Sequence, residues 1–131
     1  MNRQARSGRA AAALASLCLA APPGMAGAES WCDEPPAPEL AALATVDVGN
    51  DWFRVYSVAP GVYAITEPRQ YEAVSAFLVA GTKRAVLFDS GLGVAKIGDV
   101  VAKLTALPVT VLNSHTHFDH VGGNHEFTDV R

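Results

Sequence analysis

All four histidines of this 131-residue chain lie between positions 115 and 125. Three of them share the stretch His115-Thr116-His117-Phe118-Asp119-His120 with an aspartate. Imidazole nitrogen and carboxylate oxygen are, besides thiolate, the ligands zinc uses most. In an extended segment, side chains at i, i+2 and i+4 point the same way, so His115, His117 and Asp119 begin on one side. His120 is out of phase and needs a bend at Asp119. Such a bend lets His115 and His117 face one metal ion while Asp119 and His120 face a second. The competing reading is a polar surface turn that happens to contain histidines. Three His and one Asp in so tight a frame argue against it. His125 lies past Gly122-Gly123. It is expected on the first turn of a following helix, as a surface or supporting residue rather than a ligand.

The elements that must position this cluster are readable upstream. Trp52 to Val58 is aromatic and β-branched, Pro60-Gly61 breaks it, and Val62 to Thr66 follows, which predicts two strands joined by a tight turn. Val74 to Ala80 is a third strand, and Gly81-Thr82-Lys83 turns it into a fourth, Ala85 to Phe88. Val94, Ile97, Val100, Val101 and Leu104 recur at helical spacing, with Lys96, Asp99 and Lys103 off that stripe, and Pro108 stops the helix. Val109 to Leu112 is a fifth strand, running directly into the histidines. The order is a β-meander followed by strand–helix–strand, which sets the last two strands parallel in one sheet. The fold class is α/β or mixed α+β. Binding sites in such sheets collect just past the C-terminal ends of strands, where the histidines sit.

The N-terminus has a different character. Arg3, Arg6 and Arg9 precede Ala10 to Ala21, almost pure Ala and Leu, and Ala26-Gly27-Ala28 follows. A basic start, a short apolar run and a small-residue end are the parts of a secretory signal, expected to be cleaved after Ala28. The apolar run is too short to cross a bilayer. Cleavage leaves Cys32 as the one cysteine, without a partner for an internal disulfide. Residues 29–50, with Pro35, Pro36 and Pro38, read as a Pro-rich tether, with a helical turn allowed at Glu39 to Ala44. Half the residues are hydrophobic and 18% are charged, which excludes disorder throughout. A net charge of −3 offers no footprint for nucleic acid.

The segment His115 to His120 resembles the H-x-H-x-D-H motif of the metallo-β-lactamase superfamily. Asp89, closing an apolar strand ahead of the helix, and Gly122-Gly123 resemble that superfamily's pattern as well. The resemblance covers roughly Val55 to the C-terminus and implies an αββα sandwich with the metal site at one edge. It implies that His115 and His117 bind a first zinc and Asp119 and His120 a second. Asp89 would hold the metal loop, a role compatible with capping the turn at Ser90-Gly91. Gly91-Leu92-Gly93 is a weak phosphate-binding candidate, fully explained as a strand-to-helix turn.

The chemistry so implied is hydrolysis. Two metals about 3.5–4 Å apart share a water and lower its pKa, so that hydroxide attacks an ester, thioester or amide carbonyl. Asp119 would orient that nucleophile as the catalytic residue, and neither Ser90 nor Ser114 needs a catalytic role. A further His, a bridging Asp and a last His, which the superfamily takes from downstream, have no counterpart before Arg131. The chain is therefore expected to be a signal (1–28), a tether (29–50) and the N-terminal half of a sandwich (51–131). The expected activity is that of a periplasmic or secreted zinc hydrolase acting on a small molecule, free of the membrane after cleavage. His120 suits glyoxalase-II-like thioesterases, lactonases and the β-lactamases that keep His there. The alternative is a non-catalytic exported metal-binding protein that retains part of the site.

Overall fold

A computed structural model of the chain describes residues 38–70 and 72–131. The candidate export signal, Cys32, Pro35 and Pro36 lie outside the described residues. A helical turn, α1 (Pro38–Ala41), leads into six strands: β1 (Ala44–Val46), β2 (Arg54–Ala59), β3 (Val62–Thr66), β4 (Ser75–Ala80), β5 (Ala85–Phe88) and β6 (Val109–Leu112). Among the described residues these form one sheet in chain order. Neighbours are antiparallel except β5 and β6, which run parallel with Leu87 opposite Val111. The crossover between them carries α2 (Ile97–Leu104). After β6 come α3 (Phe118–Val121) and a 3-10 turn, Gly122–Glu126. The fold class is mixed α+β, consistent with a fragment of the expected sandwich.

The core lies between α2 and one face of the sheet. Val55, Ile65, Ala76, Leu78, Ala85, Leu87 and Val111 point to that face and meet Ile97, Val100 and Val101 of the helix. Alternation puts the intervening residues on the other face. There Phe77 and Phe88 pair across β4 and β5 and remain 41% and 43% exposed. Val79 is exposed beside them.

Three differences from the sequence reading concern element ends. The sheet begins before Asp51: Thr45 pairs with Tyr56, and Val48 is buried in the core. A three-residue edge strand has too little pattern to be seen without its partner. Helix α2 starts at Ile97 rather than Val94, which is exposed. The Glu126 carboxylate sets that start by accepting the N–H groups of Ile97 (3.2 Å) and Gly98 (2.9 Å), a cap supplied from a distant part of the chain. The last residues are extended rather than helical. The Val111 N–H donates to the Asp129 carbonyl, and the Arg131 N–H donates to the Val111 carbonyl, so the chain end runs beside β6.

Candidate metal centre

The bend in the histidine loop falls earlier than the spacing suggested. His117 is the last extended residue (φ −67°, ψ 146°), and Phe118 begins α3. A helical turn advances about 100° per residue, so Asp119 and His120 leave on different bearings from His117 before them. The result brings the three rings of the motif together. His115 and His117 stand with centroids 4.6 Å apart, and His115 and His120 with centroids 4.1 Å apart. Asp119 is buried, with its Oδ2 3.7 Å from His120 Nε2. His125 lies in the 3-10 turn, where its Nδ1 bonds back to the Gly122 carbonyl at 2.9 Å.

Asp89 connects this loop to the sheet. It ends β5 in the left-handed region, at φ +61°, a conformation that costs a non-glycine residue on the order of 1–3 kcal/mol. Its Oδ1 accepts the Ser114 N–H at 2.7 Å, and its Oδ2 accepts the Ser114 hydroxyl and the His120 ring, each at 2.8 Å. Burial pushes this carboxyl up. The Ser114 N–H, the His120 ring and the Ser114 hydroxyl outweigh that and hold it below the usual carboxylate range. Its contribution to stability is therefore complete above the ordinary aspartate pKa of 3.8 and is lost only as the pH falls below that. Among the described residues, its side-chain bonds run to Ser114 and His120 rather than to Ser90-Gly91.

An ionised Asp89 fixes the protons of two rings. A carboxylate only accepts, so His120 carries a proton on Nδ1, and in the neutral ring the Nε2 lone pair is left free. The one hydroxyl proton of Ser114 also goes to Asp89. The 2.9 Å contact between Ser114 Oγ and His115 Nδ1 must then be donated by the ring, which leaves His115 Nε2 free too. Both rings thus present a lone pair, the form in which imidazole binds a metal. With the Asp119 carboxylate, the donors match the chemistry of zinc or a similar ion. Among the described residues no three His, Cys, Asp or Glu side chains are arranged to hold a single ion as they stand.

A polar cluster beneath the loop was not visible in the sequence. Asn113 and Asn124 pair through their amides, with Asn124 Nδ2 donating to Asn113 Oδ1 at 2.8 Å. Asn113 Nδ2 donates to the His120 carbonyl at 3.1 Å, and Ser90 Oγ donates to Asn124 Oδ1 at 2.8 Å. The Ser90 N–H reaches the same His120 carbonyl at 2.8 Å. The residues have no periodic signature, and Ser90 and Asn124 are 34 positions apart. The Gly91-Leu92-Gly93 turn is not open to an anion. A Cβ on Gly91 would lie 2.1 Å from the Glu67 carboxylate, and one on Gly93 would lie 2.6 Å from the Gly122 backbone.

Asp89→Asn tests the proton assignment. An amide either sets its NH2 against the Ser114 N–H, donor against donor, or faces the His120 ring and drives the ring proton to Nε2. The expected loss is about 1–3 kcal/mol of unfolding free energy, measured by urea denaturation. Nitrogen NMR of the imidazoles should show Nδ1 protonated on His120 in the parent protein, and a parent ring protonated on Nε2 would contradict the assignment.

The model of the metallo-beta-lactamase superfamily matches residues 70–131. Acyl-coenzyme A thioesterase MBLAC2 of Gallus gallus is 30% identical over 92 residues, covering 61% of this chain and 33% of that protein. The Homo sapiens protein of the same name is 30% identical over 95 residues, covering 61% and 34%. The chain spans about a third of the length of the curated relatives it matches. Residues 70–131, which carry the Asp89 turn and the histidine loop, are similar to the metallo-beta-lactamase superfamily.

Proposed function

We propose that this chain is the N-terminal part of an exported zinc-dependent hydrolase that cleaves a thioester. The observation that carries the metal reading is the pair of imidazoles, His115 and His120, held with Nε2 free beside the buried Asp119 carboxylate. His115 and His117 hold one zinc ion in this reading, and Asp119 and His120 hold a second. Zinc supplies Lewis acidity toward the carbonyl and makes water acidic enough to react at neutral pH. The protein's own groups do the rest. Asp119 accepts a hydrogen bond from the attacking water and orients it. Asp89 keeps the His120 proton on Nδ1. The Asn113–Asn124 pair and Ser90 hold the His120 carbonyl, and with it the angle at which α3 leaves the sheet. The thioester is favoured over lactam or lactone because the similar proteins are named acyl-coenzyme A thioesterases.

The test uses the full-length gene product loaded with zinc and a panel of an acyl-coenzyme A, a glutathione thioester, a lactone and nitrocefin. Thioester cleavage is expected, read as free thiol, with loss on chelation and recovery on adding zinc. His117→Ala should lower kcat/KM by 100-fold or more, about 3 kcal/mol or above in transition-state stabilisation. Turnover that survives chelation, or turnover by the 131-residue chain alone, would overturn the reading. Metal binding without turnover of any substrate would favour a carrier.

Export rests on the basic, apolar and small-residue blocks of residues 1–28. Intact mass of the protein recovered from the periplasm or medium should place the mature terminus at Glu29. Full-mass protein confined to the cytoplasm would remove this part of the proposal.

We also propose that downstream chain supplies a second sheet over Phe77, Val79 and Phe88. Apolar side chains clustered on one open sheet face support this, because sandwiches bury such a face against another sheet. In the full-length protein, Phe77→Ala and Phe88→Ala should then each cost about 3–5 kcal/mol, as for a buried Phe. A loss within about 0.5 kcal/mol, typical of surface sites, would mean the face stays open.

A further inference from the structure

Glu67 follows β3 and takes no part in the chemistry above, yet it is only 2% exposed. Its backbone is fixed on both sides. Its N–H donates to the Val74 carbonyl at 3.0 Å, and its carbonyl accepts the Gln70 N–H at 3.0 Å. The side chain turns inward, where Oε1 accepts the Leu92 N–H at 3.1 Å. Oε2 and the nearby Trp52 Nε1 are both buried without a hydrogen-bond partner. Burial pushes the carboxyl up, the bond from Leu92 and the Trp52 indole offset that in part, and the Asp119 carboxylate adds to the rise. Burying a carboxylate with one good bond is unfavourable, and such a group calls for a reason.

The packing on the far side of the turn supplies one. The Gly91 carbonyl accepts the Gly122 N–H at 2.8 Å, just past α3. A Cβ on Gly122 would lie 2.1 Å from the Leu92 carbonyl oxygen. Three layers are therefore in direct contact: the Glu67 carboxylate, the backbone of residues 91–93, and the end of α3. Glycines at 91 and 122 leave no side chain to act as a spacer. A shift of the turn toward Glu67 would draw α3 with it, and α3 carries Asp119 and His120.

We propose that Glu67 is a positioning residue for the metal centre, acting through the Gly91–Gly93 turn on the placement of Asp119 and His120. This rests on the zinc reading above, but the residue and the route belong to this chain's own geometry. The chemical requirement is an acceptor of the right reach. Glutamine meets it, methionine has the length but no oxygen, and aspartate has the oxygen but is one methylene short.

The experiment uses the full-length protein and cobalt(II), whose visible absorption reports ligand geometry independently of turnover. In Glu67→Met, cobalt bound at Asp119 and His120 should be held about ten-fold more weakly, the lower end of the range for residues that orient metal ligands. Its absorption band should shift as well. Glu67→Gln should restore both affinity and band. Glu67→Asp should follow the methionine variant, and it decides the matter if the methionine variant does not fold. A folded Glu67→Met or Glu67→Asp with the parent's cobalt affinity and spectrum would overturn the inference. So would a Glu67→Gln variant as impaired as the methionine one, since charge rather than hydrogen bonding would then be responsible. Failure of the parent protein to bind cobalt at all would instead sink the metal reading, and this inference with it.

Discussion

The Asp89 carboxylate is the interaction on which the rest of the site depends. It sits where β5 ends and reaches across to the loop that follows β6, joining two neighbouring parallel strands at their C-terminal edge. Three donors converge on it: the Ser114 N–H, the Ser114 hydroxyl and the His120 ring. Those bonds compensate for a strained backbone and a buried charge. They also set the protonation of His115 and His120. A neutral side chain in the same place would satisfy the geometry of one donor and lose that control, because only a group that accepts everywhere can dictate where its neighbours keep their protons.

Around this carboxylate the structure relies on backbone contact rather than side-chain bulk. The turn after Asp89 lies directly on the end of α3, with glycine at each surface of contact. Interiors packed this closely transmit displacement instead of absorbing it. The Asn113–Asn124 pair and Ser90 add hydrogen bonds to the His120 carbonyl, and Glu67 closes the turn from the opposite side. Polar groups inside the fold are thus concentrated around the histidine loop, while the helix-facing side of the sheet is aliphatic and sets stability.

The two faces of the sheet have different fates for one physical reason. Alternation along β4 and β5 makes both faces apolar, which suits a sheet covered twice. Helix α2 covers the side of Leu78 and Leu87. Phe77, Val79 and Phe88 face the other way and are exposed in the described residues. The run Ala85-Val86-Leu87-Phe88 already predicted a strand buried on both sides, and the proposed second sheet would cover the face that is open among the described residues.

The sequence by itself determined the donors, their order and the strands that carry them. His115 to His120 identify themselves by type and spacing, and β3, β5, α2 and β6 by periodicities that act over a few residues. It did not determine where the loop bends, which is at Phe118 rather than Asp119, nor that Ala44–Val46 join the sheet. Nor did it reveal Glu67, or the amide pair beneath the histidines. Those features depend on contacts between residues far apart in the chain, such as Ser114 with Asp89 or Glu67 with Leu92, each 25 positions distant. Local pattern records which side chains can bind a metal. The direction of a hydrogen bond, and so which nitrogen is left free to bind, is decided only when the fold brings its partner into place.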